Sequence, residues 1–203
     1  MPGPICAAVV LNYNGRHLLE ENLPSVISAA QRVKEGCDVI VLDNLSTDGS
    51  VEFLKKNYPG VIVEIAPSNR ILFSYNELCR RIQYQYVALL NNDLRLYEDS
   101  LAVLLPHCAG QDVFAVSAVL LDAEGTTITR SRTLGESQRG LFRVAALQES
   151  ETVPTLVAGC CAVYDREKFV ALGGFDELYW PFYWEDNDLS YVAWKRGLRV
   201  LIE

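Results

Sequence analysis

Short runs of apolar residues recur along the chain, and their lengths are typical of buried β-strands. Each run is continuously apolar rather than alternating, which favours strands covered on both faces of a sheet. A further apolar run, Arg199–Glu203, ends where a strand would still be in progress, so we expect the chain to be truncated at its C-terminus. The other predicted strands are Ile5–Leu11, Val39–Leu42, Val61–Ala66, Tyr86–Leu90, Val113–Leu120 and Leu156–Tyr164.

Between these runs, apolar residues recur every three or four positions, which is the spacing of an amphipathic helix. One such stretch is Leu19–Val33, with Pro24 at a kink or at the helix start. A second helix is predicted after the turn-rich Ser46–Ser50, a third over Arg166–Leu172, and a fourth after the acidic residues 185–188. Alternating buried strands and helices predict an α/β fold of Rossmann-like type, with a mainly parallel sheet flanked by helices.

The length of 203 residues, half of them apolar, predicts one folded domain over residues 1–203. Residues 122–154 have a different composition, dominated by Gly, Ser, Thr, Arg and Glu, and we expect a loop or an insertion within the domain. Its arginines are expected at the solvated surface, with contact to an anionic substrate as the alternative. They are Arg130, Arg132, Arg139 and Arg143.

The net charge of -8 gives no basic surface of the kind that nucleic acids require. No apolar run reaches the ~18–20 residues that span a bilayer, and the first residues lack the positive charge of a signal peptide. The six cysteines are scattered without a CxxC pair, which predicts reduced, buried thiols. These features predict a cytoplasmic protein with at most peripheral contact at the inner face of the membrane.

Polar residues follow four of the predicted strands at their carboxyl ends. Open parallel sheets bind their ligands at this edge. A single Asn or Asp at a strand end is usually a turn former or a helix cap. When four such groups lie at one edge, a binding site is as well supported as a purely structural role. The groups are Asn12-Tyr13-Asn14, Asp43-Asn44, Pro67-Ser68-Asn69 and Asn91-Asn92-Asp93.

A cluster of aromatic residues leads directly into two adjacent carboxylates, Glu185 and Asp186. Acidic residues at a helix N-terminus complement the helix dipole, which explains Asp188 well and the adjacent pair poorly. Aromatic rings stack on the apolar faces of sugars, and carboxylates accept protons from sugar hydroxyls, so the segment is typical of a carbohydrate site. The aromatic residues are Phe175, Tyr179, Trp180, Phe182, Tyr183 and Trp184.

Five fragments in order carry a resemblance to a known family: VVLNYNG (Val9–Gly15), VLDNLSTDGS (Val41–Ser50), LLNNDL (Leu89–Leu94), LVAGCCAVYDREKFVALGGFDE (Leu156–Glu177) and FYWEDNDLSYVAWKRG (Phe182–Gly197). Together they resemble the family 2 glycosyltransferases, which are inverting enzymes of GT-A fold that move a sugar from a nucleotide diphosphate to an acceptor hydroxyl. Within that family, the chain looks most like the bacterial rhamnosyltransferase-like group of cell-wall or polysaccharide biosynthesis.

The resemblance implies a donor pocket in which Asp43 accepts a hydrogen bond from a pyrimidine N–H, so UDP or dTDP is the expected nucleotide. Asn91-Asn92-Asp93 takes the place of the DxD motif of the family. This implies that Asp93, assisted by Asn91, holds Mg²⁺ or Mn²⁺ against the diphosphate. The residues expected to bind the donor nucleotide are Asn12, Tyr13, Asp43, Asn44, Asn69 and Asn92.

The resemblance also implies a catalytic base, for which Asp186 is the candidate and Glu185 the alternative. This base would take the proton of the acceptor hydroxyl as its oxygen attacks the anomeric carbon opposite the diphosphate, which inverts that centre. The acceptor is expected to be a glycan or a lipid-linked sugar. The residues expected on the acceptor side are Gly159, Trp180, Phe182 and Trp184.

Two departures from the family pattern keep a second hypothesis open. Ile71 and Phe73 stand where the family usually carries small residues. Neither His17 nor His107 lies near the C-terminus, where the family often has a histidine that completes the metal site. The alternative is therefore a noncatalytic GT-A-like module that binds nucleotide or carbohydrate. A nucleotidyltransferase is less well supported, because no glycine-rich loop with a lysine follows the first strand.

Overall fold

The computed structural model describes residues 3–139, 141–146, 153–155, 158–159 and 161–203. The strands are β1 (Cys6–Asn12), β2 (Cys37–Asp43), β3 (Ile62–Ile65), β4 (Tyr86–Asn91), β5 (Val113–Ser117), β6 (Leu120–Leu121), β7 (Ile128–Arg130), β8 (Thr133–Gln138), β9 (Leu141–Ala146), β10 (Val153–Thr155), β11 (Cys161–Asp165) and β12 (Arg199–Ile202). The helices are α1 (Arg16–Gln31), α2 (Ser50–Asn57), α3 (Ser74–Arg81), α4 (Ser100–His107), α5 (Arg166–Ala171) and α6 (Glu185–Lys195).

One eight-stranded sheet, in the order β10-β12-β5-β11-β4-β1-β2-β3, forms the centre of the molecule. The strands β3, β2, β1 and β4 run parallel, whereas β11 runs antiparallel between β4 and β5. This confirms the predicted mainly parallel sheet. Asn12 lies opposite Asp43, and Cys161 opposite Leu90, so the carboxyl ends of β1, β2 and β4 share one edge with the amino end of β11.

Helices cover both faces of the sheet, as the continuous apolar strands predict. Along β1, Ala8 and Val10 face a core shared with α1, α2 and α4, whereas Ala7 and Val9 face a core shared with α3, α5 and α6. Burial of one Val or Leu side chain contributes about 1.5–3 kcal/mol. Along β1, every residue from Cys6 to Val10 is apolar and buried, so packing on both faces holds the polar end of this strand in place.

Two predicted strands differ from the structure. The run Val113–Leu120 is split, because β5 ends at Ser117 and the next two backbone N–H groups donate to carbonyls of Cys161 and Glu203. The chain then leaves the sheet and forms a separate pair of strands, β6 with β7. The predicted strand Leu156–Tyr164 begins only at β11, and residues 156, 157 and 160 lie outside the described residues.

Residues 122–154, predicted as a loop or insertion, contain short strands. Here β7 pairs with β6, and β8 pairs with β9 in a two-stranded sheet of its own. The described cysteines are free, and four of them are buried: Cys6, Cys79, Cys108 and Cys161. Across the described part of the chain, no helix has the length and apolarity needed to cross a membrane.

Candidate active site

A buried hydrogen-bond network joins the carboxyl ends of β1, β2 and β4. The Asn12 side-chain amide donates to Asp43 Oδ1 (2.9 Å) and to Ser46 Oγ (3.1 Å), and Asn12 Oδ1 accepts from Asn92 Nδ2 (2.9 Å). The Ser46 backbone N–H donates to Asp43 Oδ2 at 2.8 Å. Both Asn12 and Asp43 are buried. The structure thus brings together three of the predicted nucleotide-binding residues and gives each a protein partner.

Two further predicted residues hold the loop before α3. Buried Asn44 donates from Nδ2 to the Ile71 carbonyl (2.9 Å), and its Oδ1 accepts from Ser74 Oγ (2.6 Å). Asn69 Oδ1 accepts from the Ile71 backbone N–H at 3.0 Å. The end of β2 therefore fixes the position of a short 3₁₀ turn, Ile71–Phe73, beside the network.

The 3₁₀ turn shows where the two bulky residues go. Ile71 has φ of 54°, in the left-handed region that favours glycine and strains a β-branched residue. Phe73 is only 2% exposed and packs in the core, stacked on Trp180 with ring centroids 5.9 Å apart. Ile71 therefore keeps a glycine-like backbone, and Phe73 connects this loop to the aromatic segment around Trp180.

Other side chains at this edge are open to solvent. Tyr13, directly after β1, is 55% exposed, and Asn91 and Asp93 are also exposed. Leu45 follows the network at φ 64° and is exposed as well, a position that the sequence analysis did not single out. A ligand at this edge would therefore meet Tyr13, Leu45, Asn91 and Asp93 before it meets the buried network.

Asp93, assisted by Asn91, is the residue expected to hold a metal ion. Among the residues that the structure describes, no group of three or more His, Cys, Asp or Glu side chains could hold a metal ion. Mg²⁺ is usually bound by one or two carboxylates together with substrate phosphates and water. One exposed carboxylate beside an exposed amide fits a cation that binds together with a diphosphate, and does not fit a cage built from protein ligands alone.

The acidic pair lies at the start of α6, after two residues in the left-handed region, Tyr183 (φ 82°) and Trp184 (φ 76°). Asp186 is fully engaged: its Oδ1 accepts from the backbone N–H and side-chain amide of Asn187 (2.7 and 2.8 Å). Its Oδ2 accepts from Arg130 Nη2 at 3.1 Å. These contacts fix the orientation of the carboxylate.

Glu185 lies in a contrasting environment. Its Oε2 is buried and has no hydrogen-bond partner in the described part of the chain. Burial raises the pKa of Glu185, and the neighbouring Asp186 carboxylate raises it further. Adjacent positions on one helix thus carry one ion-paired carboxylate and one partly desolvated carboxylate.

Arg130, on β7, keeps a partly exposed side chain, as expected for the arginines of its segment, and also makes a contact that was not expected. A Cβ atom added to Gly159 would lie 2.6 Å from Arg130 Cζ, so the guanidinium packs directly on the glycine backbone. The same guanidinium reaches Asp186, which is 56 positions away in the sequence. Space at Gly159 was expected for a sugar, and the structure places Arg130 there. Sequence reasoning had no spacing signal for this contact.

An exposed aromatic segment borders the acidic pair. Trp180 and Trp184 are each 52% exposed and Phe182 is 46% exposed. The segment is anchored by the Arg70–Glu177 ion pair and by the Tyr179 hydroxyl, which donates to Asp188 Oδ1 at 3.3 Å. Clustered exposed aromatic residues are typical of interaction surfaces. The three aromatic residues predicted for the acceptor side therefore lie at the surface, next to the carboxylates, whereas Gly159 is buried.

The pairing of β4 with β11 brings the two halves of the site to one edge. Because Cys161 lies opposite Leu90, Gly159 lies close to the point where Asn91–Asp93 leave β4. Arg130 extends from Gly159 to Asp186. Arg130 and the start of β11 thus connect the edge of polar strand ends to the acidic start of α6.

Comparison with known sequences gives two similarities. Residues 7–173 match the family model described as Glycosyl transferase family 2. A curated relative, N-acetylglucosaminyl-diphospho-decaprenol L-rhamnosyltransferase of Mycobacterium tuberculosis, is 24% identical over 225 residues. That similarity covers 95% of this chain and 71% of the relative.

Solved structures share the fold at low identity. The mannosyltransferase PcManGT from Pyrobaculum calidifontis, solved with GDP-Man and Mn²⁺, has a TM-score of 0.70 and 20% identity over all of this chain. S. aureus TarS 1-349 (TM-score 0.72) and GalNAc-T7 with UDP, GalNAc and Mn²⁺ (0.74) are each 16% identical over 98% of this chain. This chain spans 57% of the PcManGT and TarS chains and 42% of the GalNAc-T7 chain.

Proposed function

Because the chain belongs to glycosyl transferase family 2 and has the GT-A fold, we propose that it moves a sugar from a nucleotide diphosphate to a hydroxyl of a glycan or lipid-linked acceptor, with inversion. One observation carries this proposal: the β4–β11 pairing and the Arg130–Asp186 ion pair link the edge of polar strand ends to the acidic start of α6. The relative named as an L-rhamnosyltransferase of a diphospho-decaprenol substrate supports a lipid-linked acceptor. Such an acceptor would bring the enzyme to the membrane surface, so peripheral contact belongs to the same proposal.

The donor nucleotide is proposed to bind over the buried network, with Tyr13 against the base. Asp43 already accepts two protein hydrogen bonds, but a carboxylate has about four acceptor positions and can accept a base N–H with another. Asn12, Asn44, Asn69 and Asn92 support the walls of this pocket through their protein contacts. UDP or dTDP is the proposed nucleotide.

Asp93, assisted by Asn91, is proposed to hold Mg²⁺ or Mn²⁺. When bound, such a cation supplies the positive charge that neutralises the leaving diphosphate. Two of the structural neighbours were solved with Mn²⁺. A chain of net charge -8 disfavours a bare diphosphate, which supports a cation bound with the donor at this edge.

In the proposed reaction, the Asp186 carboxylate takes the proton of the acceptor hydroxyl. The hydroxyl oxygen forms a bond to the anomeric carbon, and the bond from that carbon to the diphosphate oxygen breaks with its electron pair on the diphosphate. Trp180, Phe182 and Trp184 would stack on acceptor sugars beside this carboxylate. Glu185 is the alternative base, because a raised pKa suits a proton acceptor.

A thermal-shift panel tests the donor site. The protein is heated with UDP, dTDP, GDP, CDP or ADP, each with and without Mn²⁺. A ligand at about 100 times its Kd adds roughly 2.7 kcal/mol, which raises the midpoint by about 5–10 °C for a domain of this size. We expect a metal-dependent shift with one pyrimidine diphosphate, followed by sugar transfer from its nucleotide sugars. The absence of any shift would contradict the donor pocket.

The strained backbone at Ile71 favours one second candidate, a noncatalytic module that binds nucleotide or carbohydrate. A left-handed β-branched residue costs about 1–2 kcal/mol, and such a loop departs from the small-residue pattern of the family. This candidate predicts binding of a nucleoside diphosphate without transfer from any of its sugars. Release of nucleoside diphosphate that depends on an added acceptor would exclude it.

A further inference from the structure

We propose that Arg130 binds a phosphate group of the substrate and exchanges between that phosphate and Asp186. The inference rests on the proposed function and adds a residue that neither the family match nor the sequence motifs assign. In the structure, Arg130 Nη2 donates to Asp186 Oδ2 across 3.1 Å. The proposed base is therefore paired with a cation at the position where it would have to meet an acceptor hydroxyl.

The geometry around Arg130 suits an anion. Its side chain is 38% exposed, against 19% for Asp186, so a ligand can reach the guanidinium more easily than the carboxylate. The Gly159 backbone supports one side of the guanidinium, where any side chain would displace it. A guanidinium presents donors in a planar fork that matches two phosphate oxygens. Arg130 is thus held in place yet accessible to ligand.

Its location favours a phosphate rather than a sugar. The pairing of β4 with β11 places Gly159, and with it Arg130, at the edge that carries Asp93. The carboxylates of Glu185, Asp186 and Asp188, in the first turn of α6, repel a phosphate, so a phosphate that binds here needs a cation beside them. In a chain of net charge -8, a cation at this position is what a phosphate group would bind.

Exchange of Arg130 would connect substrate binding to proton transfer. A phosphate that binds the guanidinium in place of Asp186 leaves Asp186 with its two Asn187 contacts and an Oδ2 that can accept a hydrogen bond from an acceptor hydroxyl. The base would then become available only after a phosphate has bound, which limits unproductive reaction with water. The phosphate has two possible sources, the diphosphate of the donor or a phosphate of a lipid-linked acceptor.

The test compares wild type with Arg130→Gln, Arg130→Lys and a matched control, Arg143→Gln, which removes an exposed arginine on β9. Calorimetric titrations in Mn²⁺ use UDP and uridine, or the nucleotide pair that the panel selects, and geranyl diphosphate as the lipid diphosphate probe. Circular dichroism checks that each variant is folded. Arg130→Lys keeps the positive charge but not the planar fork of donors, and it serves as the test variant if Arg130→Gln does not fold.

If the donor supplies the phosphate, we expect Arg130→Gln to weaken UDP binding about tenfold or more while uridine binding stays the same. Arg130→Lys should lie between it and wild type, and Arg143→Gln should match wild type. If the acceptor supplies the phosphate, UDP binding stays unchanged and binding of geranyl diphosphate is lost. Transfer assays should then show a raised KM for the same substrate.

Two other results would overturn the inference. The first would leave the proposed function standing, and the second would overturn the proposed function as well. If Arg130→Gln binds both diphosphates as tightly as wild type, Arg130 has no role in phosphate binding and the proposed function stands. If wild type binds no nucleoside diphosphate under any condition of the panel, the proposed function fails and this inference fails with it.

Discussion

At the residue scale, Glu185 and Asp186 are neighbours with opposite surroundings. Asp186 accepts hydrogen bonds on both oxygens, from Arg130 and from Asn187. Glu185 has a buried oxygen without a partner in the described part of the chain. Pairs of carboxylates whose environments differ in this way commonly have different roles in catalysis. Each of the two therefore has its own prediction.

Replacing Asp186 with Asn should remove proton acceptance while keeping the shape of the side chain. We expect turnover to fall about 10²–10⁴-fold, with no loss of affinity for the nucleoside diphosphate. The measurement is the initial rate of transfer with saturating donor, beside a titration of the nucleotide. Glu167→Gln is the control, because that carboxylate is 84% exposed on α5. Full turnover in Asp186→Asn together with its loss in Glu185→Gln would assign the base to Glu185.

Glu185 should make the stability of the protein depend on pH. Its pKa is raised above 4.5 by burial, so the folded state holds this proton more tightly than the unfolded state does. Its charged form therefore penalises folding increasingly as the pH rises from about 4.5 through the folded-state pKa. In urea unfolding, we expect Glu185→Gln to be more stable than wild type at pH 7, by a margin that shrinks toward pH 4. A margin that is the same at both pH values would contradict this.

Sequence reasoning identified Glu185 and Asp186 as an acidic pair but could not predict that Asp186 is ion-paired and Glu185 is partly buried. The two signals for this pair, its position at a helix N-terminus and the aromatic residues before it, both come from residues close in sequence. Arg130 comes from a segment 56 positions earlier, and it reaches Asp186 only because the chain leaves the sheet after β5. Contacts of this kind depend on the path of a loop, which has no hydrophobic period from which to predict it.

At the element scale, Asn76 on α3 holds the turn that precedes the aromatic segment. Its Nδ2 donates to the Phe175 carbonyl (2.8 Å), and its Oδ1 accepts from the Phe175 N–H (2.9 Å). Gly174, at φ 76°, lies so close that an added Cβ would be 2.2 Å from Asn76 Oδ1. The residue that begins the aromatic segment is therefore fixed to a helix on the same face of the sheet.

Asn76→Ala should destabilise the fold, because it leaves two buried backbone groups of Phe175 without partners. We expect a loss of about 2 kcal/mol or more in the free energy of unfolding, measured in urea. The control is Asn57→Ala at the exposed end of α2, where the amide also donates to a carbonyl and a loss within about 0.5 kcal/mol is expected. Equal losses in the two variants would show that the Phe175 contacts add nothing.

The elements themselves were predictable where burial determines the pattern. The strands β1, β2 and β4 are covered on both faces, so their sequences are uninterrupted apolar runs. The helix α4 was missed, because its sequence SLAVLLPH is apolar almost throughout and has no period. The split between β5 and β6 was also missed, since it depends on hydrogen bonds to Cys161 and Glu203, which are distant in the sequence.

At the scale of the whole molecule, the excess of negative charge favours donor binding together with a cation, as proposed for Asp93. We expect the thermal shift given by the nucleoside diphosphate in Mn²⁺ to disappear when EDTA is added. Asp93→Asn should lose the same shift in the presence of Mn²⁺, whereas Asp99→Asn, an exposed aspartate before α4, should keep it. The uncharged nucleoside should bind equally with and without Mn²⁺. A shift that survives in Asp93→Asn would remove Asp93 from the proposed metal site.

The order of the chain also divides the site between two stretches of sequence. Apart from Arg130, the residues proposed for the nucleotide and the cation come from positions up to Asp93, and those proposed for the acceptor and its proton come from Gly159 onward. The two stretches meet along the pairing of β4 with β11. In evolutionary terms, one recombination event between them would exchange the acceptor preference and leave the nucleotide preference inherited intact.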